Sequence, residues 1–252
     1  MSRLTHEKSG EEGKSFERDT VSCVLIILAV LLCLLVNWFS FLDSQNVLQS
    51  AAQTDAQITH RSDFQLSDPL LVLVNSHTPL PEDWTVTPRM INDEVIDQRA
   101  YGDLVSMFEA AAQEDIWFWV VSGYRSPGQQ EIVLDRAIKN NESAGMTETE
   151  AEEDALRTVA QPGYSEHHTG LAVDLNDVTD AFETTDAYRW LAEHAAEYGF
   201  VQRYKKEKSA ITGIDRESWH YRYVGKTHAQ AMERLDLCLE EYVEYLKKQN
   251  AQ

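Results

Sequence analysis

Between residues 21 and 41 the chain runs VSCVLIILAVLLCLLVNWFSF without a single charge, and no other stretch limits its architecture so sharply. A helix rises about 1.5 Å per residue, so roughly twenty apolar residues span about 30 Å of hydrocarbon. The sequence therefore predicts one transmembrane helix ahead of a globular part. Arg3, Lys8, Lys14 and Arg18 precede it, whereas the first basic residue after it is Arg61 and the next Arg89. That asymmetry orients the N-terminus toward the cytoplasm and the remainder outside. A cleaved secretory signal is the competing reading, but its apolar core would be shorter and would end at a small-residue cleavage site. Lipid attachment at Cys33 is disfavoured because Leu31 and Leu32 precede it.

On this reading residues 1–20 form a polar cytoplasmic tail, 21–41 the span, 42–69 an extracellular stalk rich in Gln, Ser, Asp and Ala, and 70–252 one folded domain. The expected localisation is the cell membrane, single-pass, with that domain extracellular. Of the 3 cysteines only Cys238 falls outside the span, so the domain can form no internal disulfide. Formal charge is −20, of which about −19 sits on the exported part. Such acidity argues against nucleic acid or anionic lipid as a partner.

Hydrophobic period and Pro/Gly punctuation divide the domain into elements. LLVLVN at 70–75 reads as a short apolar strand, followed by His77 as a surface or packing histidine. Residues 97–113 space Ala100, Leu104, Phe108 and Ala111 as an amphipathic helix, and IWFWVV at 116–121 reads as a buried strand. Helices follow at 129–138, with a stripe of Ile132, Val133, Leu134 and Ala137, and from Thr147, whose partner Glu150 completes a capping box. Along 171–175 alternation turns Leu171, Val173 and Leu175 to the core, and Ala172 and Asp174 away from it. Residues 186–198 form a helix stopped by Gly199, with His194 on its apolar stripe as a satisfied core histidine. Strands are expected at 200–204 and 219–224 around a polar loop at 205–216, and the chain beyond Gly225 is helical. The fold class expected is α+β, a small antiparallel sheet flanked by helices.

Chemistry concentrates in SEHHTGLAVDL, 165–175, and ESWH, 217–220. His167, Asp174 and His220 supply two imidazoles and a carboxylate, the donor set of a catalytic Zn2+ that keeps a fourth position for water. Glu217 stands three residues before His220, within reach of that water as a base without ligating the metal. A buried Asp174 without a partner would be costly, so its strand position itself calls for a metal or an ion pair. Arg125, after a buried strand and a glycine turn, reads either as a guanidinium aimed into a cleft or as a surface arginine.

Taken in order, GYRS (123–126), SEHHTGLAVDL and ESWHYRYVG (217–225) resemble the zinc D-alanyl-D-alanine carboxypeptidases of the VanY type, relatives of the VanX dipeptidases, over about 71–225. The resemblance implies zinc on His167, Asp174 and His220, Glu217 as general base, and Arg125 stabilising the reacting carbonyl. It also implies that Ser165 and Gln130 line the substrate pocket. Two positions depart from the family's pattern: His168 stands where glutamine is common, and Ser218 where proline is common. The first leaves neighbouring histidines as rival ligands, and His167 keeps the family's seven-residue offset to Asp174. The implied function is a membrane-anchored zinc carboxypeptidase that removes the C-terminal D-alanine from peptidoglycan stem peptides. Alternatives are an L,D-carboxypeptidase acting on tetrapeptide stems and a non-catalytic zinc-containing wall-binding module, as the related hedgehog domain illustrates. The last needs neither Glu217 nor Arg125.

Overall fold

Strand alternation and glycine stops organise residues 68–251, those described by this computed structural model, around a four-stranded antiparallel sheet. The expected tail, transmembrane helix and nearly all of the stalk lie outside the described residues. No helix among the described residues is long and apolar enough to cross a membrane. A hairpin comes first, β1 (Pro88–Ile91) against β2 (Glu94–Asp97). The sheet itself contains β3 (Val120–Ser122), β4 (Ala172–Leu175), β5 (Phe200–Tyr204) and β6 (Glu217–Tyr223) in the order β3-β4-β6-β5.

Register decides which face does what. β4 and β6 pair Asp174 with His220, Val173 with Tyr221 and Ala172 with Arg222. With side chains alternating, one face carries Ala172, Asp174, His220 and Arg222, and the other Val173, Leu175, Tyr221 and Tyr223. The second face is the core. Against it pack α1 (Gln98–Ala112), through Ala100, Leu104, Met107 and Ala111, and α4 (Asp186–His194), through Trp190 and Leu191. Asp97 caps α1 by accepting from the Arg99 amide, which anchors one of four orphan N–H groups.

α2 (Pro127–Ser143) and α3 (Glu148–Ala155) each open with a full capping box, Ser126 with Gln129 and Thr147 with Glu150, and pack on one another. A single turn, α5 (Ser209–Thr212), interrupts the expected polar loop. α6 (Lys226–Leu235) and α7 (Leu239–Asn250) complete the order, broken at Asp236, whose φ is 50°.

Four expectations need correction. LLVLVN is not a strand: Pro69–Leu71 is a 3-10 turn capped by Asp68, and Asn75 makes only an isolated bridge to Thr78. Its carbonyls are taken instead by a side chain, since Arg222 Nη2 donates to Leu70 and Val72 at 3.0 and 2.9 Å. IWFWVV is not buried throughout; Phe118 and Val120 face the core while Trp117, Trp119 and Val121 are exposed. On α2 the predicted apolar stripe fails as well, because Ile132 is exposed and Gln130 is the buried residue. His194 is satisfied but not enclosed: it stacks on Trp190 and bonds Glu197 from a partly exposed position.

Candidate metal centre

A turn and two paired strands bring the chemistry to one face of the sheet. Ser165 caps the 3-10 turn Glu166–Thr169, its Oγ accepting from the His167 amide at 3.3 Å. Gly170 then reverses the chain at φ 69°. A Cβ there would meet Val86 Cγ1 at 3.0 Å and the Asp97 backbone nitrogen at 3.1 Å, so both conformation and space call for glycine. The reversal leads into β4, which sets Asp174 opposite His220. As a result donor atoms of His167, Asp174 and His220 all lie within 4.8 Å of one another, and all three residues are buried.

His220 Nδ1 is 2.9 Å from Asp174 Oδ1, and His167 Nε2 is 3.3 Å from Asp174 Oδ2. His167 Nδ1 lies 2.6 Å from the Gly123 carbonyl; that acceptor places the proton on Nδ1 and leaves Nε2 as the ligating atom. On the far side of the other ring, His220 Nε2 is 3.5 Å from Glu166 Oε2. Burial opposes charge on both Asp174 and His220, yet each overcomes it. The neighbouring imidazoles hold the Asp174 carboxyl far below its usual range, and Asp174 and Glu166 push His220 up to about 9. A site that draws a proton this strongly can take a divalent cation in its place, and two imidazoles with one carboxylate are a donor set suited to zinc.

The rival histidine is accounted for. His168 Nδ1 is 2.6 Å from the Arg125 carbonyl, and its Nε2 accepts from the Gly163 amide at 3.0 Å. Both ring nitrogens are occupied by backbone, so His168 braces the Arg125 loop while His167 joins the donor cluster. Arg125 Nη2 is 3.6 Å from Asp174 Oδ2 and its Nη1 donates to Gln130 Oε1 at 2.8 Å. Gln130 Nε2 in turn donates to the Ala160 carbonyl at 2.7 Å. Its whole amide is thus engaged in holding the guanidinium.

Glu217 Oε2 stands 3.7 Å from His220 Nδ1. Its carboxyl is pushed up to about 8, chiefly by burial; His220 and Arg125 pull it down, and Asp174 and Glu166 add to the rise. All the residues nominated from sequence, Arg125, Gln130, Ser165, His167, Asp174, Glu217 and His220, line one cleft of about 470 Å³. A larger groove of about 960 Å³ contains none of them.

Sequence reasoning missed what stands behind the cluster. Glu166 Oε1 accepts from Arg203 Nε at 2.9 Å and from Arg222 Nη1 at 2.8 Å, and Arg203 reaches Glu240 on α7 at 2.6 and 2.9 Å. Burial would raise the Glu166 carboxyl, but the two guanidiniums hold it far below its usual range. One sign was available in advance: Arg222 follows His220 by two and so shares its face.

Residues 93–226 match the family described as VanY, D-alanyl-D-alanine carboxypeptidase. The chain is 40% identical over 176 residues to the D-alanyl-D-alanine carboxypeptidase of Enterococcus faecalis, a match covering 69% of this chain and 65% of that protein, just under two thirds. To the putative carboxypeptidase YodJ of Bacillus subtilis it is 36% identical over 202 residues, covering 73% and 71%. Among solved structures, a mutant of the vancomycin resistance D,D-pentapeptidase VanY in complex with Zn(II) aligns with TM-score 0.64 at 40% identity, covering 69% of this chain and 98% of that one. VanYB in complex with D-alanine-D-alanine gives 0.65 at 40%, covering 69% and 97%. The LdcB LD-carboxypeptidase gives 0.59 at 35%, covering 69% and 86%.

Proposed function

The chain belongs to the VanY family of D-alanyl-D-alanine carboxypeptidases, and from that membership we propose that it is a membrane-anchored zinc carboxypeptidase trimming the C-terminal D-alanine of peptidoglycan stem peptides. One observation carries the reading: Glu217 and Arg125 share a single cleft with the metal donors, and a metal kept for structure alone needs neither.

His167, Asp174 and His220, whose donor atoms lie within 4.8 Å of one another, would hold a zinc ion. Bound there, zinc supplies a water of lowered pKa and a Lewis acid for the scissile carbonyl. Glu217 takes the proton of the attacking water and returns it to the departing amine of D-alanine. Its raised proton affinity suits a group that must accept a proton and then release it. Arg125, held by Gln130 against Ala160, faces the charge that develops on the carbonyl oxygen. Ser165, on the cleft wall, contacts the substrate. The uncharged run at 21–41 tethers this cleft outside the membrane, where wall peptides are found.

The test uses full-length protein in detergent, incubated with zinc and a pentapeptide stem ending in D-Ala-D-Ala, with products weighed by mass spectrometry. Loss of one alanine, abolished by a chelator and restored by zinc, is the expected result. Trimming of a tetrapeptide stem with the pentapeptide untouched would transfer the chain to the L,D class, which its likeness to LdcB keeps as the second reading. Turnover of neither stem, with zinc bound, would sink both.

A further inference from the structure

Edge strand β3 and the extended residues before it present an apolar outer strip. Phe118 and Val120 turn into the core, so Trp117, Trp119 and Val121 turn outward, 67%, 49% and 38% exposed. This is no loose tip. Asn176, immediately after β4 and at φ 59°, clamps the backbone beneath the indoles. Its Nδ2 donates to the Trp117 carbonyl at 3.0 Å, its Oδ1 accepts from the Trp119 amide at 3.0 Å, and its own amide donates to the Trp119 carbonyl at 3.1 Å. Asp174 lies two residues before Asn176, so the strand that carries a metal donor also holds the indoles in register with the cleft. Val121 and Val178 belong to both surfaces, being exposed and lining the cleft. At about 3.3 Å per residue, Trp119 lies about 7 Å and Trp117 about 13 Å along the chain from Val121. Exposed apolar patches on a fixed backbone mark contact surfaces.

We propose that this strip is a docking surface for the saccharide strands of the cell wall, with the indoles of Trp117 and Trp119 stacking on the apolar faces of sugar rings. The inference rests on the proposed stem-peptide substrate. A stem is the side branch of a sugar polymer, so most of the substrate must leave the cleft, and this strip is an apolar rim continuous with it. Sugar rings offer C–H faces edged by hydroxyls, and tryptophan matches them with a broad apolar ring and one N–H donor. Tryptophan also favours bilayer interfaces. The formal charge of −20 opposes approach to an anionic lipid surface, whereas a neutral sugar face imposes no such penalty.

Full-length protein and its Trp117→Ala/Trp119→Ala variant are pelleted, in detergent and with chelator present to prevent turnover, with intact wall sacculi and with sacculi stripped of stems by an amidase. The expected result is about a tenfold loss of affinity on both materials in the variant, from two stacking contacts of modest strength. Its zinc-loaded rate on a soluble pentapeptide stays within about twofold of the parent. A Trp117→Phe/Trp119→Phe variant retains most of the binding. Undiminished pelleting on stripped sacculi overturns the proposal. So does unchanged pelleting accompanied by a changed sedimentation mass, which assigns the face to a second copy, or by lost indole quenching from brominated lipid in reconstituted vesicles, which assigns it to the bilayer. Absent pentapeptide turnover with wall binding still lost in the variant would fault the substrate reading and leave the docking surface standing.

Discussion

The two faces of the four-stranded sheet are equally buried and are built on opposite principles. On one, Val173, Leu175, Tyr221 and Tyr223 pack against helices as an apolar core, held by area removed from water at about 25 cal/mol per Å². On the other, Asp174, Arg203, His220 and Arg222 are buried as charged or ionisable groups, and only mutual neutralisation makes that tolerable. Glu166 stands between two guanidiniums, Arg203 between two carboxylates, and Asp174 between two imidazoles. The apolar face stabilises the fold without choosing a chemistry. The charged face fixes a chemistry, and each of its members depends on the others being present.

That contrast can be broken most forcefully at Glu217. Glu217→Ala should lower turnover of the pentapeptide by about 10²–10⁴-fold, the usual worth of a general base, with zinc content by metal analysis unchanged. Near-normal turnover would remove the base from the scheme. Next comes Arg222→Met, which leaves Glu166 and three backbone carbonyls, those of Leu70, Val72 and Tyr223, short of a donor. Denaturant unfolding should show a loss of about 3–5 kcal/mol, and a loss below about 1 kcal/mol would mean the charged face is not held by neutralisation. On the apolar side, Leu104→Ala should cost about 2–5 kcal/mol by leaving a cavity, with zinc affinity unaltered.

Asp97 sharpens the comparison through pH. Burial opposes its ionisation, but Arg99 and the backbone amides of Arg99 and Thr87 outweigh it and hold the carboxyl below its ordinary 3.8. A lowered folded-state pKa means that the stabilisation is complete above 3.8 and disappears as pH falls through the folded value. Asp97→Asn should therefore cost about 1–2 kcal/mol at neutral pH and narrow its deficit on acidification. A deficit independent of pH would refute the ionic account. The smallest effect is expected at Tyr221→Phe. The Tyr221 hydroxyl is buried with no hydrogen-bond partner among the described residues, so its removal should change stability by less than about 1 kcal/mol or raise it.

Much of this was legible before the fold. Alternation along 171–175 turned Asp174 away from the core, because a short strand leaves a side chain only two directions, and the family resemblance, through its seven-residue offset, chose His167 over His168 as the donor. The capping boxes at Ser126 and Thr147 are local chemistry; the second was read from the sequence and the first passed over, so α2 begins at Pro127, earlier than its apolar spacing implied. The misreadings share a cause. LLVLVN has strand composition, but Pro69 turns it and an arginine 150 residues away takes the Val72 carbonyl. IWFWVV has core composition, but an edge position exposes every second residue. The Glu166 network joins positions 37 and 56 residues apart, beyond any local pattern.

That spread sets an order of events during synthesis. A chain leaving the ribosome N-terminus first presents Glu166 and His167 early, yet the second counter-charge for Arg203 arrives only with Glu240, a further 37 residues on. Until α7 docks, a guanidinium destined to be fully buried lacks one of its two carboxylates. The charged face is therefore complete only once α7 has docked, and the cleft's finished electrostatics depend on α7 as much as on the strands that carry the metal donors.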